Sequence, residues 1–120
     1  MKKALIVPIM LLGLATSLHA QHHLAVPAVV KKALITEFPQ AVKVTWEKEK
    51  GNYEANWGGK SGEDNSAMFT PTGDFVEIVR AIKVSELPAS VSPYVKAHFN
   101  GAVITEAGKV TDAKGKQTYE

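Results

Sequence analysis

The residue types able to do chemistry are four histidines, some clustered carboxylates and one glycine-lysine-serine run. The histidines are His19, His22, His23 and His98. If a leader ends after Ala20, the new terminus reads Gln21-His22-His23. A free amine, two amide nitrogens and a third-position imidazole can wrap Cu(II) or Ni(II) in a square plane. That makes His23 the candidate metal residue. An N-terminal glutamine readily cyclises and blocks the amine, so a solvated leader without metal is expected instead. His98 stands beside Phe99 near a helix end, where the dipole favours a half-exposed histidine.

Gly59-Lys60-Ser61 has the form of the tail of a phosphate-binding loop. That loop needs a glycine at position 54, which is Glu54, and a helix afterwards, where a strand is expected. Glu63-Asp64-Asn65 lacks the spaced oxygen ligands of a calcium loop and is expected to be solvated. Glu47 and Glu54 form a candidate acid/base couple. Glycosidase carboxylates act from a cleft, however, and these two are expected on an open face. Serine, histidine and aspartate occur without any nucleophile motif to place them. The expectation is no enzyme and no cofactor.

Trp46, Tyr53 and Trp57 admit two readings. Core packing of sheet against helix is the first. An exposed binding face is the second, because aromatics are enriched at interfaces. Arg80 is the one charge on an otherwise apolar strand face. It points to a contact surface, or else to an arginine whose stem packs while its head reaches water. Arg80, Trp46, Tyr53 and Trp57 together are the candidate contact residues.

These side chains must be positioned by a small molecule. The chain has 120 residues, enough for one domain. Lys2 and Lys3 precede an apolar run from Ala4 to Leu18, and Leu18-His19-Ala20 follows the pattern of a cleavage site. Residues 1–20 read as a removed export signal, and the run is too short to span a bilayer. Two of the 14 basic residues leave with it, while all 12 acidic ones stay, so the mature chain is close to neutral. Neutrality gives no long-range attraction to phosphate backbones, which argues against nucleic acid as a partner. There is no cysteine, hence no disulfide and no lipid-anchoring cysteine. A periplasmic or secreted protein without a membrane span is expected.

Residues 21–25 read as a loose leader. Pro27 suits the first turn of a helix, and Val26, Val30, Ala33, Leu34 and Phe38 recur at helical spacing until Pro39 stops it. From Val42 the period becomes two. Val42, Val44 and Trp46 make one strand and Tyr53, Ala55 and Trp57 the next, joined by a Lys50-Gly51 turn. That turn pairs Lys48 with Tyr53, Glu47 with Glu54, Trp46 with Ala55 and Val44 with Trp57. Every large apolar residue then falls on one face. Residues 58–65 read as a loop, 66–70 as a short strand, 71–74 as a turn and 75–84 as a long central strand. Phe75, Val79 and Ala81 are expected on the face opposite Val76, Ile78, Arg80, Ile82 and Val84.

The opening pattern then returns. Leu87-Pro88-Ala89 answers Val26-Pro27-Ala28, Val91 answers Val30, Phe99 answers Phe38, and Tyr119-Glu120 echoes Tyr53-Glu54. This is an internal duplication, with repeat one over 26–86 and repeat two over 87–120. Pro93 disturbs the second helix: either it is kinked, or its regular part starts with Ser92 as cap and Pro93 in the first turn. A strand is expected over 103–111, then a turn and a terminal stub.

The helix start at Val26, Phe38-Pro39, Val44-x-Trp46-Glu47, Gly51-x-Tyr53-Glu54, the Phe69-Thr70-Pro71-Thr72-Gly73 turn, Ile82-x-Val84 and Leu87-Pro88-Ala89 are similar in order and spacing to one known family. Over residues 26–120 the chain resembles the PepSY-like family of small exported bacterial proteins, described as β-lactamase-inhibitor-like. The resemblance implies an α+β fold in which a helix-plus-antiparallel-strands unit is duplicated and its helices pack on antiparallel sheet. It also implies a non-enzymatic role. The chain departs from the pattern at Pro93 and in its early end, so the second copy is expected truncated. The expected function is an exported, non-catalytic binding module for another protein, with a hydrolase among the possible targets. Self-association as a homodimer through an open sheet edge, and N-terminal copper or nickel binding, are the alternatives.

Overall fold

Pro27 sets the start of α1 (Ala28–Glu37), where its carbonyl accepts the Val30 and Lys31 N–H groups at 3.0 and 3.1 Å. Phe38 leaves the helical region just ahead of Pro39. One stripe of the helix is buried, at Val30, Leu34 and Phe38, while Ile35 on another side is 67% exposed. The computed structural model describes residues 23–120. The export signal, its cleavage site and the Gln21-His22 part of the candidate metal terminus lie outside the described residues.

After α1 come β1 (Thr45–Glu49), β2 (Asn52–Trp57), β3 (Asn65–Phe69) and β4 (Phe75–Ile82). A 3₁₀ turn (Val84–Glu86), α2 (Val91–His98), β5 (Ala107–Asp112) and β6 (Gln117–Tyr119) complete the chain. The strands form one six-stranded sheet in chain order, each antiparallel to the next. The helix-then-hairpin order of α1, β1 and β2 recurs as α2, β5 and β6.

The first hairpin has the expected register, with Trp46 opposite Ala55, Glu47 opposite Glu54 and Lys48 opposite Tyr53. Lys50 and Gly51 both have positive φ, 50° and 84°, the geometry a two-residue hairpin turn requires. The strand starts three residues later than Val42, and Val44 pairs with nothing in the ladder. Lys43 takes φ 53°, which breaks the pleat, and Val42 is left 67% exposed.

The long strand is also corrected. Between Met68 and Phe69 the pairing shifts, so Phe69 faces Phe75 whereas Met68 faces Glu77. Such a bulge re-aims the strand. Phe75 thereby joins Ile78 on the core side instead of Val79 and Ala81. The strand ends at Ile82 rather than 84, and β5 begins at Ala107 rather than 103, leaving Val103 81% exposed. In α2 the boundary residue is Ser90, not Ser92, and Pro93 falls in the first turn, where its missing N–H costs no helix bond. No residue of α2 is fully buried.

The core lies between α1 and the first four strands: Val30, Leu34, Phe38, Tyr53, Ala55, Trp57, Ala67, Phe69 and Ile78. Phe38 sits 5.4 Å from Trp57 and 5.6 Å from Phe75 between ring centroids. Ala55 and Ala67 are cross-strand partners and fully buried, and their small side chains let the helix approach. Leu34→Ala is therefore expected to cost about 2–5 kcal/mol in urea unfolding. Ile35→Ala should stay within about 0.5 kcal/mol of wild type, apart from a small propensity gain. Equal losses at the two positions would show that α1 is not seated on this stripe.

Candidate functional site

The alternation that sends Trp46, Ala55 and Ala67 toward α1 sends Glu47, Glu49, Glu54, Asn56, Ser66, Met68 and Glu77 to the other face. Pairing across β1 to β4 brings these side chains side by side. Here the sheet carries an open concavity of about 890 Å³, and no residue of α1 or α2 lines it. Its wall contains eight carboxylates: Glu47, Glu49, Glu54, Glu63, Asp64, Glu77, Glu106 and Glu120. It contains no lysine, arginine or histidine.

Two of these acids are delivered by the 58–64 loop. Asp64 N–H donates to the Gly58 carbonyl at 3.3 Å, and the Asp64 carbonyl accepts from Ala81 N–H at 2.9 Å, tying the loop to β4. Gly59 has φ 67°, and a Cβ there would lie 2.2 Å from the Asp64 carboxyl group, so glycine is needed for the loop to close. The floor is ordered by Ser66 Oγ, which donates to Asn56 Oδ1, and by Asn52 Nδ2, which lies 3.7 Å from Met68 Sδ.

Glu47 and Glu54 stand directly opposite each other, a like-charge pair that opposes strand pairing. The Glu54 carboxyl is pushed above its ordinary range. Partial burial is the chief cause, followed by a hydrogen bond with Glu49 and the charges of Glu49 and Glu47; a hydrogen bond with Asn56 acts the other way. Among the described residues no three acidic or histidine side chains converge as a metal site. A broad, open array of carboxylates can attract and hold cationic groups. It does not enclose a reacting bond.

Three of the candidate contact residues gather in or against the core, and Arg80 lies outside that cluster. Tyr53 and Trp57 are 8% and 5% exposed and lie in the core, so they cannot present an open face; Trp46 is half-buried against the same cluster. Their burial follows from the register, which aims all three at α1. Arg80 is exposed, on the helix side of the sheet by alternation, between Asn65 and Lys109. His23 is exposed at the start of the described residues. His98 stacks on Tyr94 at 3.9 Å and sets Nδ1 2.9 Å from the Tyr94 carbonyl. Of the acidic face, the sequence indicated only Glu47 opposite Glu54 on an open side. Glu49, Glu77, Glu106 and Glu120 carry no local signal. They could have been found only by carrying strand parity through the whole sheet.

No family model and no curated protein matches the chain. Solved structures do. The chain is similar to a candidate periplasmic protein from Bacteroides eggerthii, at 25% identity and TM-score 0.65, covering 78% of this chain and 68% of that one. It is similar to a DUF2874 family protein from Bacteroides uniformis at 23% identity and TM-score 0.64, with the same coverage. A BLIP-like protein from Bacteroides fragilis aligns at 16% identity and TM-score 0.62, over 83% of this chain and 72% of that one. The fold is BLIP-like. Among the described residues no helix is long and apolar enough to cross a membrane.

The raised Glu54 carboxyl sets a sign for stability. Between its unfolded and folded pKa the native state holds more protons than the unfolded chain, so stability falls as pH rises through that window. Glu54→Gln should therefore be more stable than wild type at neutral pH, with the advantage shrinking as pH falls through that window and gone below the unfolded value. Urea unfolding at a series of pH values reads the difference between the two proteins. A variant less stable at neutral pH, or a gap that does not change with pH, would contradict the assignment.

Proposed function

We propose that the chain is a non-catalytic binding module that receives a basic segment of a protein partner on the acidic face of its sheet. The observation that carries this reading is the composition of the concavity, eight carboxylates and no cation. Like charges gathered without internal counter-charges oppose folding, and a cationic partner relieves that repulsion while being steered by the same field. The same face repels phosphate, which agrees with a partner other than nucleic acid.

The BLIP-like neighbour supports extending the proposal to inhibition: the bound partner is an envelope hydrolase whose rim carries lysine or arginine. The neighbour described as periplasmic, together with the leader pattern of residues 1–20, supports an exported location for this encounter. Arg80 and half-buried Trp46 stand outside the acidic face, so a role for them belongs to a separate contact on the helix side.

The test is capture from the native periplasm on immobilised protein, followed by titration of any hydrolase recovered. Glu47→Gln, Glu54→Gln and Glu77→Gln combined should abolish recovery while leaving the fold intact by circular dichroism. About 1 M salt, where screening shortens to roughly 3 Å, should release the partner from the wild type. Recovery unchanged by both treatments would end the reading. A partner that binds stoichiometrically without losing activity would end its inhibitory extension alone.

A further inference from the structure

Across β4 and β5 the two faces of the sheet carry opposite charge. Glu77 and Asp112 are cross-strand partners on the side of the concavity. Arg80 and Lys109 are cross-strand partners too, and strand parity puts them on the helix side with the core residue Ile78. Ala81 N–H donates to the Asp64 carbonyl, so alternation turns the N–H and C=O of Arg80 toward β5. Arg80 and Lys109 are therefore a hydrogen-bonded pair, with Cα atoms about 5.5 Å apart. At that spacing two cationic heads leaving one face can meet on a single anionic group.

Their neighbours on the sheet do not neutralise them. The cross-strand row continues to Asn65 on β3 and to Tyr119 on β6. The diagonal neighbours on the same side are Ile78, Ile82, Ala107 and Thr111. None of these is acidic. From Leu87 to Thr105, the segment that carries α2 between the two strands, there is no carboxylate either. Arg80 is exposed and Lys109 half-buried. Like charges directly opposite each other work against strand pairing, and an anion placed between them reverses the sign of that term. Both strands lie inside the sheet, each with a paired strand on either side, so the pair does not belong to an edge.

We propose that Arg80 and Lys109 form a carboxylate-binding pair on the helix side of the sheet, which receives an acidic segment of a protein partner. Charge complementarity sets the sign of the occupant, and the number of charges sets its kind. Guanidinium binds a carboxylate through two parallel hydrogen bonds, and the ammonium adds a second charge at the same oxygens. A membrane surface calls for a cluster of roughly four or more basic residues, which two cations do not provide. The pair shares no side chain with the acidic face, so it stands whatever that face binds.

The test titrates fluorescein-labelled hexaglutamate into the full chain and reads anisotropy at about 20 mM ionic strength, where screening is weak. Wild type should bind. Arg80→Glu and Lys109→Glu should each weaken binding by about tenfold or more. Lys114→Glu, the same change in net charge at the far end of β5, should stay within about twofold of wild type. Arg80→Gln and Lys109→Gln, which only remove a charge, serve should either reversal fail to fold, and should weaken binding in the same direction. A wild type that does not bind, or an equal loss in Lys114→Glu, would overturn the proposal. So would tighter retention on phosphatidylglycerol vesicles through the same two residues, which would give the surface to lipid instead.

Discussion

Val30, Leu34 and Phe38 reach the sheet because Ala55 and Ala67, paired across β2 and β3, leave room beneath the helix. Everything else in the molecule follows from this contact being made on one face only. A short helix buries too little to stabilise itself, so its stripe must find an apolar wall. That wall is continued by the row Trp57, Phe38, Phe75 and Phe69, whose successive ring centroids lie 5.4 to 5.8 Å apart. The bulge at Met68/Phe69 is part of the same arrangement, since without it Phe75 would point away from Phe38.

Once α1 has claimed one face, the other is left to solvent, and its residues are free of packing demands. Solvation alone calls for polar residues of mixed sign, which pair weakly and cost little. The charged residues that line the concavity are instead all of one sign. Glu47 opposite Glu54 and the elevated Glu54 carboxyl show that the arrangement works against folding locally. A face that departs from a stabilising pattern is best explained by what it must meet.

The helix stripe, the first hairpin and its register were legible in the sequence because each is specified locally. The period changes cleanly at the end of α1, and Lys50-Gly51 fixes which residue faces which. Three features were not legible, for separate reasons. Lys43 has no sequence marker for positive φ, so the strand was expected too early. The bulge is a property of two strands and cannot be read from either, so Phe75 was assigned to the wrong face. Pro93 left two helix starts open, and tertiary context placed the boundary at Ser90. The site was harder still. Glu47, Glu63, Glu77, Glu106 and Glu120 are spread over most of the chain, and their common face exists only after five strand registers are fixed in series.

The two halves of the molecule are unequal in a way that bears on how it works. The α1 half contains nearly all of the buried core, whereas α2 has no fully buried residue and leaves Tyr94 and Phe99 each 57% exposed. Local stability should follow that division, with α2 and the β5–β6 hairpin opening more readily than β2 to β4. The acidic concavity spans both, since Glu47 and Glu54 come from the firm half and Glu106 and Glu120 from the other. For the partner proposed above, ordering the weaker half on binding would cost free energy, which favours contacts on the Glu47, Glu54 and Glu77 side of the face.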